Sequence, residues 1–152
     1  MSKVVFTVGN RLRGDDGAGP LLAELLEAEP AAGWTVVDGE SSPENHTHRI
    51  RALMPQLVLI VDAAEMQLAP GEVRRLDEDC VAEHFLVTTH AIPLNFLIAS
   101  LKETVREIVF LGIQPKNTML CSPITPSVRG AVGRIHRRLV HDEGFELYEG
   151  IA

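Results

Sequence analysis

The chain is expected to fold as a mostly parallel α/β sheet, and three features of the sequence lead there. Short runs rich in β-formers, at Val4 to Val8, Trp34 to Val37, Leu57 to Val61 and Glu107 to Ile113, alternate with stretches whose apolar residues recur at helical spacing. The third run, LVLIV, is apolar without alternation, as a central strand covered on both faces requires. Asp15, Asp16, Asp38, Asp62 and His90 all follow predicted strand ends, and ligands of such sheets bind beyond the carboxyl ends of the strands.

The elements follow in order. Gly9-Asn10 closes the first strand, and Gly14-Asp15-Asp16-Gly17 turns into a helix with Leu21, Leu22, Leu25 and Leu26 on one face. Pro20 fits if that helix begins near Asp16, since its missing N–H then falls among the unpaired donors of the first turn. Trp34 to Val37 ends in Asp38-Gly39, and Ser42-Pro43-Glu44 starts a short helix with Ser42 as cap and Ile50, Leu53 and Met54 on its apolar side. Leu57 to Val61 ends in Asp62. Pro70-Gly71 then turns the chain into Glu72 to Leu76, where intruding polar residues predict an antiparallel or peripheral strand. Phe85 to Thr89 leads, extended, to His90, and Pro93 opens a helix carrying Leu94, Leu97, Ile98 and Leu101. Gln114-Pro115 closes the last strand, and Thr125-Pro126 caps a helix with Val128, Val132, Ile135 and Leu139 on its apolar side. The whole of 1–152 is expected to form one domain, with an acidic, loose tail from His141.

Composition narrows the function. A formal net charge of −7 excludes nonspecific binding to nucleic acid or anionic membranes, which needs a basic surface. No apolar run approaches the roughly 20 residues of a membrane span, and MSKVVFTV lacks the build of a secretion signal. Cys80 and Cys121, far apart and outside any CxxC pattern, read as reduced thiols of a cytoplasmic protein.

The Gly-rich turn suggests phosphate binding at first sight, but two acids would repel a phosphate, so the site suits a cation. If the first and third strands are neighbours, Asp16 and Asp62 emerge side by side, and His90 reaches them from the loop before its helix. Two carboxylates and an imidazole suit a divalent ion such as Ni, Zn or Mn, with coordination positions left open. The following helix N-terminus favours the neutral imidazole that a metal requires. Asp15 reads as a cap and Asp38 as a loop anchor. His46 and His48 do not share a helix face, His84, His136 and His141 have no evident role, and Arg129, Arg134, Arg137 and Arg138 form a solvated helix side.

Several blocks in order, VGNRLRGDDGAGP, VVDGESSPEN, LVLIVDAAEM with PGEVR, TTHAIPLNFLI and IVFLGIQP, resemble the endopeptidases that mature nickel-iron hydrogenases, and the resemblance spans Val4 to Leu139. It implies a three-layer α/β/α domain around a twisted, five-stranded mixed sheet, mostly parallel with one antiparallel strand. It implies removal of a C-terminal peptide from the hydrogenase large-subunit precursor, the one partner expected, after nickel has been inserted. The nickel is carried by the substrate, and another divalent transition ion can substitute for it in a crystal. The family's metal-contacting positions match Asp16, Asp62 and His90, and Asp38 matches a position tied to recognition or activity. Asp16, Asp62 and Asp38 are thus the catalytic candidates, in a family grouped with aspartic-type peptidases although no DTG pair occurs here. Hydrolysis then proceeds either by polarisation of the scissile carbonyl by the ion or by activation of water by Asp16 or Asp62. A monomer is the family expectation. Two rivals share parts of the pattern: a phosphoacceptor receiver, with Asp62 as acceptor, Thr88 or Thr89, and Lys116 after the last strand, and a metal-dependent hydrolase of a small substrate.

Overall fold

The apolar run at 57–61 explains the architecture, because a strand with no polar face must be covered on both sides. In the computed structural model, which describes residues 2–77, 94–145 and 147–150, that run is the central strand of five. The order of elements is β1 (Lys3–Thr7), α1 (Ala18–Ala28), β2 (Trp34–Asp38), α2 (Thr47–Leu53), β3 (Leu57–Ala63), β4 (Val73–Leu76), α3 (Leu94–Lys102), β5 (Glu107–Ile113) and α4 (Pro126–Val140). Short 3-10 turns at Gly14–Gly17 and Pro43–Asn45 lead into α1 and α2. The sheet order is β2-β1-β3-β5-β4; all pairs are parallel except β4 with β5. The mixed, mostly parallel sheet and the edge position of β4 are as expected. Phe85 to His90 and Pro93 lie outside the described residues.

Side chains of a strand alternate between faces, and the sheet sorts them accordingly. Val4, Phe6, Val58, Ile60 and Phe110 join Ile50 of α2 and Leu97, Ile98 and Leu101 of α3 in one core. Val5, Leu59, Val61, Leu111 and Ile113 join Leu22 and Leu26 of α1 and Val128, Val132, Ile135 and Leu139 of α4 in the other. The result is three layers, α/β/α. Arg138, with the carbonyl of Gly144 and the carboxylate of Glu143 as partners, bends the chain back after α4. His136, buried in α4, donates from Nε2 to the carbonyl of Glu29 (2.9 Å) and ties α4 to the end of α1.

Four sequence expectations meet a different arrangement. Asp62 lies inside β3, paired with Gly112 of β5, because the strand runs two residues past Val61, to Ala63. Ser42 makes no side-chain cap bond; Pro43–Asn45 is a 3-10 turn and the helix starts only at Thr47. Of the apolar side expected for α2, only Ile50 is buried, while Leu53 and Met54 are 40% and 78% exposed. Seven residues give too few turns to turn all three inward, and Met54 closes the helix in a left-handed conformation (φ 46) that points the chain away. The tail expected to be loose makes definite contacts: Arg75 donates its backbone N–H to Glu149 O (2.9 Å) and its Nε to Tyr148 O (2.8 Å), and Phe145 meets Trp34 edge to face.

Candidate active site

The site grows from β1 and the turn after it. Val8 donates its N–H to Val61 O (3.0 Å), which continues the β1–β3 pairing past the strand end and keeps the two chains together at the carboxyl rim. Gly9 then takes φ 148, and a Cβ there would lie 2.0 Å from the carbonyl oxygen of Asp16. Only glycine permits that approach, so Gly9 is what lets the acid turn fold back over the end of β1. Asp16 is 5% exposed and accepts a hydrogen bond at Oδ2 from the backbone N–H of Asn10 (3.1 Å). The sequence marked Asn10 only as a strand breaker; its N–H is the donor that orients Asp16.

Asp15, one residue earlier, is built differently. It is fully buried, and its two oxygens accept from the backbone N–H groups of Lys116 (2.8 Å), Asn117 (3.0 Å) and Thr125 (2.7 Å) and from the Thr125 hydroxyl. The hydroxyl expected to cap α4 is thereby drawn to Asp15, and α4 starts without a side-chain cap bond. The cap expected of Asp15 is replaced by a clasp between the acid turn and the loop after β5. Gly14 supports it: at φ 53 a Cβ would meet Asn117 O at 2.3 Å.

Asp62 is fully buried and accepts at Oδ1 from the N–H of Ala63 (2.7 Å). Strand parity places it on the face of Ile60 and Ala64, the face that α2 and α3 cover. Its partner in register is Gly112, which has no side chain to crowd it. Asp38 ends β2 in register with Thr7 and belongs to the other face. There its Oδ1 accepts from the Thr7 hydroxyl (3.1 Å) and the Glu40 N–H (3.1 Å), and its Oδ2 meets Arg11 Nη2 at 2.7 Å. Arg11 also reaches Glu24 of α1. Partial burial works against the Arg11 charge, but Asp38 and Glu24 outweigh it and hold its pKa above the ordinary guanidinium value. The sequence did not single out Arg11, whose partners Glu24 and Asp38 lie 13 and 27 residues away.

The structure therefore brings the acid turn and Asp62 to the same rim through adjacent strands, and puts Asp38 on the opposite face of the sheet. His90 lies outside the described residues. Among the described residues no three His, Cys, Asp or Glu side chains form a group able to hold a metal ion. A cavity of about 600 Å³ opens elsewhere, between β4, the start of α4 and the tail, lined by Arg74, Ser127 and Tyr148 among others and by none of these acids.

Fold and rim together define a three-layer α/β domain with buried carboxylates at the carboxyl ends of its central strands. Over residues 20–142 the chain matches the family model described as hydrogenase maturation protease. It is 49% identical over 152 residues to the hydrogenase 3 maturation protease of Escherichia coli K12, covering 100% of this chain and 96% of that protein. The solution structure of the endopeptidase HycI from Escherichia coli superposes with a TM-score of 0.92 at 48% identity, over 100% of this chain and 97% of that one. A NiFe hydrogenase maturation protease HycI from Thermococcus kodakarensis gives a TM-score of 0.78 at 28% identity, over 92% and 90% of the two chains. The chain belongs to the hydrogenase maturation protease family, and it is a peptidase. That membership displaces the phosphoacceptor reading.

Proposed function

We propose that the protein removes the C-terminal peptide from the precursor of a nickel-iron hydrogenase large subunit, and that it does so only once nickel is in place. Asp16, Asp62 and His90 contact the nickel, which arrives bound to the substrate. The observation that supports this most directly is the pair of buried carboxylates, Asp16 and Asp62, carried to one rim by neighbouring parallel strands and each accepting a backbone N–H. Buried anions are costly, and a cation brought by the substrate offsets that cost. Helix α3, which follows His90 in the chain, packs on the face that bears Asp62.

The chemistry is aspartic-type in the sense that carboxylates act directly: the substrate's ion polarises the scissile carbonyl, or Asp16 or Asp62 takes the proton from the attacking water. Asp38 is a positioning residue. Through Arg11 it steadies the loop whose Asn10 N–H holds Asp16. The protein works as a monomer in the cytoplasm. The deciding experiment incubates purified protein with nickel-loaded and nickel-free large-subunit precursor and follows peptide release by mass. Cleavage of the loaded form alone is expected. Equal rates on both would overturn nickel sensing, and cleavage of neither would overturn the processing role.

A further inference from the structure

We infer that Leu12, Met119 and Leu120 form the surface on which the large-subunit precursor docks beside Asp16, an inference that rests on the function proposed above. The three side chains are 64%, 69% and 62% exposed. Single exposed apolar residues are common and carry no message. These three are gathered by two loops more than a hundred residues apart in sequence, because Cys121 donates its N–H to Leu12 O (2.7 Å).

Local structure holds them outward. Ser122 directs its N–H (3.2 Å) and its hydroxyl (2.6 Å) to Met119 O, closing a tight turn, and Cys121 at its third position adopts φ 64, a left-handed conformation unusual for a residue with a Cβ. Met119 donates its N–H to Asn117 Oδ1 (2.9 Å), which fixes the start of the turn. Below, the carboxylate of Asp15 grips Lys116, Asn117 and Thr125, so the loop cannot fold its apolar tip inward without breaking that buried clasp. A strained turn braced by a buried acid is a costly way to expose two large apolar side chains, and such strain collects at functional sites.

The occupant follows from continuity with the acids. Leu12 donates its N–H to Asn10 Oδ1 (2.9 Å), and Asn10 donates its own N–H to Asp16 Oδ2, so one short loop carries both the apolar surface and the donor that orients Asp16. Whatever covers Leu12, Met119 and Leu120 lies beside the acid turn, which for a peptidase is its polypeptide substrate. The surface therefore fits an apolar segment of the precursor next to the scissile bond. Lys116, exposed at the base of the loop, suits an acidic residue flanking that segment.

The test compares the wild-type protein with the triple variant Leu12→Ser, Met119→Ser, Leu120→Ser and with a control, Leu53→Ser, Met54→Ser, altered at exposed apolar residues near the amino ends of the strands. With nickel-loaded precursor, the triple variant is expected to raise KM about tenfold with kcat within about twofold, and the control to match the wild type. Thermal unfolding of both variants stays at the wild-type midpoint. An unchanged KM in the triple variant, or a fall in kcat alone, would overturn the docking surface. Direct titration of fluorescently labelled precursor separates this from the peptidase reading: weaker binding by the triple variant than by the wild type supports docking even where no cleavage follows, and equal binding by both proteins, or binding by neither, overturns it.

Discussion

Asp15 and Asp16 are neighbours in sequence, both buried, and built for opposite ends. Asp15 spends both oxygens on three backbone N–H groups and a hydroxyl from the far end of the chain. Asp16 accepts the Asn10 N–H at one oxygen. A carboxylate whose two oxygens are ringed by backbone donors is fixed in place, and Asp15 is such a group, while the Asn10 N–H orients Asp16. Under the function proposed above, the two adjacent acids divide into an anchor, Asp15, and a working group, Asp16, and the donors around Asp15 are what the fold adds to make it the anchor.

The comparison is broken most directly at Asp16. Asp16→Asn should lower precursor processing about 10³-fold or more, in the upper range for loss of a group acting in the transition state, with little change in the unfolding midpoint. Normal processing would remove Asp16 from the site. Asp15→Ala should do the reverse in kind, costing about 4 kcal/mol of stability by stranding several buried donors at once, as read by urea unfolding at neutral pH. A loss under about 1 kcal/mol would show that Asp15 is no anchor, since that is the worth of one ordinary hydrogen bond.

Smaller changes sharpen the contrast. Gly14→Ala forces a Cβ against Asn117 O at a positive φ and should cost about 2 kcal/mol while leaving kcat of the folded fraction intact. Thr125→Val removes one hydroxyl from Asp15 and should cost about 1 kcal/mol. Asp38→Asn loosens Arg11 and, through it, the loop of Asn10. Because the Arg11 side chain is 45% exposed, the stability change should stay below about 1 kcal/mol. A several-fold fall in kcat with KM unchanged, matched by Arg11→Gln and not deepened in the double variant, would mark Asp38 as acting through Arg11. Additive losses in the double variant would separate the two residues.

Much of this was readable from the chain. The run at 57–61 named the central strand because unbroken apolar residues at that length need cover on both faces, 107–113 read as a further strand, and polar residues in 72–76 named the edge. The acid turn announced itself by glycine spacing. What stayed hidden was every relation depending on residues distant in sequence: the Asp15 clasp on Lys116, Asn117 and Thr125, the Asp38–Arg11 pair, and the parity that puts Asp62 and Asp38 on opposite faces. The two extra residues of β3 were hidden for the same reason, since Asp62 and Ala63 are strand only through their pairing with Gly112 and Ile113 of β5.

The sequence by itself determined the alternation of strands and helices, the mostly parallel sheet and the turns in which acids collect, since these follow from local periodicity and turn chemistry, which a few neighbouring residues decide. The tertiary structure alone decided that Asp15 is an anchor, because the donors that saturate it reach it only after β5 has paired with β3 and carried residues 116–125 back over the first turn.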